Sequence, residues 1–162
     1  MFIYESIEQI IQKYKEKEGA QQSDIHKEIE GISRVIGRKI IDLLVRDIQY
    51  KFQTQLDTMK FICTEFWKFT FAKQVDNLRT NNAGTFIFTD EAFRLTGRIS
   101  NAKPDGKELR QKLKCYEYFV AGLVKGALMN MGYESAPIIQ TLIQGVRLQL
   151  TVTVNEQGVS NS

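Results

Sequence analysis

The sequence predicts an α+β fold, with helices packed on one side of a twisted antiparallel sheet made of two hairpins. Three observations carry this expectation. The stretches Ile32 to Leu44 and Leu109 to Met131 repeat apolar residues at spacings of three and four, which gathers them on one face of a helix. Val146 to Val154 alternates instead, so Leu148, Leu150, Val152 and Val154 share one face of a strand. Turn formers, Asn81, Asn82 and Gly84 in one place and Gln144 and Gly145 in another, punctuate the β-rich runs.

Along the chain, Phe2, Ile3, Ile7, Ile10, Ile11 and Tyr14 form one apolar stripe of a first helix that Gly19 ends. Ala20 to Gly31 is polar and reads as a connector. Gly31 opens a second helix whose stripe is Ile32, Val35, Ile36, Ile40, Leu43 and Leu44. Asp57 and Thr58 are placed to cap a third. In that helix Met59, Ile62, Cys63, Phe66, Trp67, Phe69 and Phe71 cover more than one face, as expected of a central core helix. Asp76 to Asn81 (DNLRTN) reads as a helix-ending turn, because Asp, Asn and Thr side chains bond nearby backbone. Thr85 to Thr89 is then a strand, Asp90 and Glu91 a turn, and Phe93 to Gly97 its hairpin partner. Pro104 and Asp105 break the chain before the helix that runs through Leu109 and Met131, which Gly132 caps. Ser135 to Ile143 and Val146 to Val154 form the second hairpin, and Asn155 to Ser162 a frayed tail.

A chain of 162 residues with 43% apolar content suits one domain, residues 1–154, with a single core. The net charge of +3 is no nucleic-acid footprint, and no polybasic block is long enough to hold a membrane alone. The amino-terminal residues lack a signal-peptide pattern, and no stretch approaches the roughly 18 apolar residues of a membrane span. Cys63 and Cys115 have no CxxC partner or nearby His, so reduced cytosolic thiols are expected, with neither metal nor disulfide.

Catalytic constellations are sparse. His26, the sole histidine, lies in the polar connector without orienting partners and reads as exposed. Gly122, Gly126 and Gly132 lie within or after a helix, which favours close helix packing over a phosphate loop. Trp67 with Phe66, Phe69 and Phe71 reads as core, and Cys63 as a small core residue. Arg79 stands out in its turn. Its five-donor fork either clamps loop carbonyls or meets a partner's carboxylate. The first two helices carry more apolar stripe than one sheet face needs, which points to a partner. Ile3, Ile7, Ile10, Ile32, Val35 and Ile36 are the candidates for that contact, with completion of the internal core as the competing role.

Lys60 to Ser100 carries a family likeness. The run KFICTEFW, then DNLRTN, the Gly-led strand GTFIF and FRLTG resembles the subunit-6 branch of the transport protein particle (TRAPP) small subunits, which tether vesicles in the early secretory pathway. The likeness extends from about Gly31 through Val154. It implies the same helix-and-sheet fold, a structural and non-catalytic role, and no cofactor. It also implies a stable heterodimer with an acylated sister subunit, contacts with other small subunits, and an indirect link to a Rab GTPase activated by the whole particle. Pairing with itself when alone is left open. Such a chain would be cytoplasmic, peripheral to Golgi and endoplasmic reticulum membranes. The sister's acylated cysteine aligns near Tyr50 to Gln53, where this chain has none, so Cys63 is expected to be unmodified. Enclosure of a lipid or other apolar ligand, as in the wider superfamily, is the alternative.

Overall fold

The computed structural model describes residues 2–16, 19, 21–46, 52–93, 106–133 and 137–154, with the side chains of residues 2–4, 6, 15 and 108 outside that description. Helix α1 spans Phe2–Lys15 and α2 spans Gln22–Val45. The helix thus starts well before Gly31, and the expected connector is mostly its first turns. Ile25 and Ile29 are buried there, continuing as Ser33 and Gly37 at intervals of four.

A central helix follows in three continuous pieces, α3 (Gln55–Phe61), a π-helical turn (Ile62–Phe66) and α4 (Trp67–Phe71). Its cap is Thr54, upstream of the expected pair. The Asp57 amide donates to Thr54 Oγ1 at 3.1 Å while the Thr54 amide donates to Asp57 Oδ2 at 3.2 Å, a reciprocal box that satisfies two amides. Thr58 is buried within the helix. Met59, Ile62, Phe66, Trp67 and Phe71 are core, but Phe69 is exposed. At about 100° per residue Phe69 lies roughly 200° around the axis from Trp67, whereas Trp67 and Phe71 nearly coincide. The helix ends at Ala72, whose φ of 61° is left-handed.

Strands β1 (Asn77–Thr80) and β2 (Thr85–Asp90) form the first hairpin. DNLRTN is therefore largely a strand, and the turn lies at Asn81 to Gly84. Asn81 Oδ1 accepts from the Ala83 and Thr85 amides there. Asp90 ends β2, and Phe93 lies outside the strands, its amide donating to Val146 O at 2.8 Å. The expected strand through residues 94–97 lies outside the described residues, as do the break over 101–105 and the tail 155–162. Helix α5 spans Gly106–Asn130, and β3 (Ile138–Gln144) and β4 (Arg147–Thr153) form the second hairpin as expected.

The antiparallel sheet has the order β1-β2-β4-β3, so the two hairpins join where β2 pairs with β4. Phe86, Phe88, Leu148, Leu150 and Val152 face the core, in register across the β2–β4 join. The opposite face carries Arg79, Ile87, Thr151, Gln140 and Leu142. This α+β arrangement is the predicted fold class.

Helices α2 and α5 cross with their backbones in contact. A Cβ added at Gly37 would lie 2.0 Å from Leu123 O, one at Gly126 2.1 Å from Arg34 O, and one at Gly122 2.2 Å from Ser33 Oγ. Close packing is thus the role of Gly122 and Gly126. Gly132, at φ 109°, follows the last turn of α5.

Candidate functional site

Two faces run along α2, one buried and one exposed. One holds Ile25, Ile29, Ser33, Gly37, Ile40 and Ile41, all buried, mainly against α5. On the other, Ile32, Val35 and Leu43 are 38, 51 and 54% exposed, and Lys39 lies between them. Positions 32, 35, 39 and 43 are three and four apart, so they form a single stripe. A water-soluble helix normally turns charge outward at such positions. Three large apolar side chains on one outward line form a patch suited to a partner.

Neighbouring groups hold the stripe in place. Glu30 accepts from Lys125 Nζ at 3.2 Å, tying α2 to α5. Arg34 Nη2 lies 3.4 Å from Met129 Sδ, and Asn130 Nδ2 donates to Arg38 O at 3.3 Å and also to Asp42. Between these groups is an open groove of about 470 Å³ lined by Gly31, Arg34, Val35, Arg38, Met129 and Asn130. Val35 thus borders a basic, partly apolar depression. Helix α1 is fastened alongside. Lys13 donates to Glu28 at 3.2 Å, Tyr14 donates to the same carboxylate, Lys112 pairs with Glu8 at 3.0 Å, and Tyr116 Oη donates to Glu8 at 3.1 Å.

The structure divides the seven residues singled out from the sequence. Ile32 and Val35 stand on the exposed stripe, while Ile36 and Ile10 are half-buried and packed against the core. Ile7 is fully buried inside the chain. The side chain of Ile3 lies outside the described residues. Arg79 is exposed on the outer sheet face opposite Ile87, far from α2 in the topology. No described residue accepts from its guanidinium, so it does not clamp its own turn. Asn81 holds that turn, and Asp76 fastens the other end of β1. Its carboxylate accepts from the Glu91 amide at 2.7 Å and Lys73 Nζ at 2.9 Å, and these donors hold it below the usual carboxylate range.

Leu43 was legible as apolar, but its exposure depends on which helix face α5 takes. Only packing decides that. Phe69 is a second exposed apolar residue that sequence pattern assigned to the core.

Other reactive groups are muted. Burial pushes the Cys63 thiol up to about 12 and the Cys115 thiol to about 11, so neither is a thiolate at neutral pH. His26 is half-buried on α2, not exposed on a loop. Its ring stacks on Tyr118 with centroids 4.3 Å apart, and burial, then Lys114, hold its pKa below 6.5. Asp90 is a buried carboxylate that accepts from Trp67 Nε1 at 2.9 Å, from the Ala92 amide at 3.0 Å and from Lys73, which locks the central helix to β2. No group of three or more His, Cys, Asp or Glu among the described residues could hold a metal. No described helix is long and apolar enough to cross a membrane.

Comparison with known proteins places this architecture in a class. The fold matches that of trafficking protein particle complex subunit 3 from Naegleria fowleri, solved covalently bound to palmitic acid, with a TM-score of 0.71 over 96% of this chain and 94% of that one. Identity there is 14%, so the likeness is one of fold. The model of the transport protein particle (TRAPP) component family matches residues 1–157, and the chain belongs to that family. Among curated relatives it is 34% identical to trafficking protein particle complex subunit 6b of Danio rerio over 134 residues, 83% of this chain and 82% of that protein. It is 37% identical to subunit 6B of Homo sapiens over 107 residues, spanning 66% of this chain and 65% of the relative. The resemblance to the subunit-6 branch is therefore borne out.

Proposed function

We propose that this chain is a non-catalytic structural subunit of a TRAPP-like vesicle-tethering particle, and that the exposed stripe of α2 is where it pairs with an acylated sister subunit. One observation carries the reading. Ile32, Val35 and Leu43 remain outward on a helix whose other face is already buried within the chain. Covering such a stripe with a matching helix face removes apolar area from water at about 25 cal/mol per Å². Ile10 and Ile36, half-buried at its margin, extend the surface toward α1.

Arg79 serves a second contact, with a carboxylate of another small subunit, because the outer sheet face lies away from α2. In this reading the chain's contribution to Rab activation is architectural, and membrane association in ER-to-Golgi and Golgi traffic is peripheral, through the particle. The family name of the relatives and the fold of subunit 3 support it. The groove beside α2 and another between α5 and β3 are open and mix charged or polar with apolar side chains, unlike a sealed chamber for a lipid chain.

Val35→Glu tests the pairing face. The variant should fail to co-purify with the sister subunit while its thermal unfolding stays cooperative. An undiminished complex would remove α2 from the interface.

A further inference from the structure

Among the described residues, strand β3 is a sheet edge that no further strand pairs, and its own sequence lacks the usual protection. Its sequence, IIQTLIQ, has no charge and no proline, and Ile138 and Leu142 are 65 and 49% exposed on its outer face. Soluble proteins guard free edges with charge, proline, a bulge or a cover, because unpaired amides and carbonyls otherwise recruit another strand.

The register shows which backbone groups are unpaired. Gln144 pairs with Arg147 across the two-residue turn, so residues 138, 140, 142 and 144 turn their amides and carbonyls toward β4. On β4, the Val154 amide donates to Gly84 O at 2.8 Å, on the β2 side, which fixes the same parity. Ile139, Thr141 and Ile143 therefore point theirs outward. Glu117 already occupies one of these positions, accepting from the Ile143 amide at 3.0 Å. The amides of Ile139 and Thr141 have no acceptor among the described residues. Beside them an open slot of about 320 Å³ separates the strand from Lys114, Glu117, Tyr118 and Ala121 of α5. Thr141 Oγ1, buried in its wall, also lacks a partner among the described residues.

From this geometry we infer that the β3 edge binds an extended acidic segment of a partner polypeptide, which adds a fifth strand to the sheet along Ile139 and Thr141. The alternating outward amides and carbonyls fit a backbone. Inward side chains of the added strand rest over Tyr118 and Ala121, and outward ones meet Ile138 and Leu142. Charge sets the preference for acid. Glu117 is mostly buried and committed to Ile143, whereas Lys114 is exposed and only loosely paired to it at 3.6 Å. A second copy of this chain fits worse. Symmetric pairing about Thr141 would require the Ile143 amides that Glu117 holds, and would bring two Lys114 side chains together.

A displayed library of random peptides of roughly 12 residues, enough to cover one strand, panned on the purified chain tests this. Enriched peptides should alternate apolar residues with at least one acid. Thr141→Pro removes an outward amide without breaking a bond to β4, and should weaken a resynthesised peptide about tenfold or more. Lys114→Glu should weaken it as well, and Val35→Glu should not. In amide exchange, Ile139 and Thr141 should be fast in the free chain and protected by the peptide, which settles the matter even where Thr141→Pro unfolds. Failure to enrich any peptide, binding that Thr141→Pro leaves unchanged in a folded variant, or edge amides unprotected by bound peptide would overturn the inference. So would self-association abolished by Thr141→Pro, which would make a second copy the occupant.

Discussion

The two faces of α2 use similar means for different ends. Toward α5 the helix presents Ile25, Ile29, Ile40 and Ile41 around Ser33 and Gly37, where main chains touch. Toward solvent it presents Ile32, Val35 and Leu43, with Gly31 in open space. Apolar residues and a glycine occur on both faces, so composition does not distinguish structural residues from available ones. Contact does. A residue on the α5 face is fixed by neighbours within the chain, and one on the outer face is constrained only by what docks there.

That contrast is sharpest for the same substitution made on each face. Gly37→Ala places a methyl group 2.0 Å from the Leu123 carbonyl oxygen, so the helices must move apart. Chemical denaturation should show a loss of about 1–3 kcal/mol or more. Gly31→Ala meets nothing within 4 Å and lies in a helix interior. It should raise stability by about 0.5–1 kcal/mol through helix propensity and a less flexible unfolded chain. Equal effects from the two variants would mean that the faces are not distinct. Val35→Glu, half-exposed, should change stability by only about 0.5 kcal/mol, although it is expected to abolish pairing.

The smallest effect is one of pH. His26 extends the buried edge of α2, and its folded pKa lies below the ordinary 6.5 because burial and Lys114 oppose its charge. Between the folded pKa and 6.5 the unfolded chain binds the extra proton, so stability falls as pH drops below 6.5 and levels off beneath the folded value. His26→Gln should flatten that part of a stability-versus-pH curve. An unchanged slope would place the sensitivity elsewhere.

The same comparison explains what was legible in the sequence. Strand β4 and helix α5 show clean periods of two and 3.6 because their buried positions are mostly large and apolar. Gln22 to Gly31 of α2 reads as a connector because Ile25 and Ile29 are its only large apolar residues and the line they begin continues through Ser33 and Gly37, which are small or polar. Hydropathy does not register a stripe made for backbone contact. DNLRTN reads as a turn because Asp, Asn and Thr favour turns, yet Asn77 to Thr80 sits at the sheet edge with only Leu78 and Thr80 half-buried. Edge strands carry too little apolar signal to outweigh propensity. Of the site, Ile32 and Val35 were legible as apolar, but their exposure was not. Exposure follows from where α5 packs, and no local pattern encodes that.

The most direct test of the pairing claim is the mass in solution of this chain, alone and mixed with the acylated sister subunit, by sedimentation at equilibrium. The stripe of Ile32, Val35 and Leu43 predicts a one-to-one complex for the native chain and its loss for Val35→Glu. A native chain that keeps its own mass in the presence of the sister would contradict it.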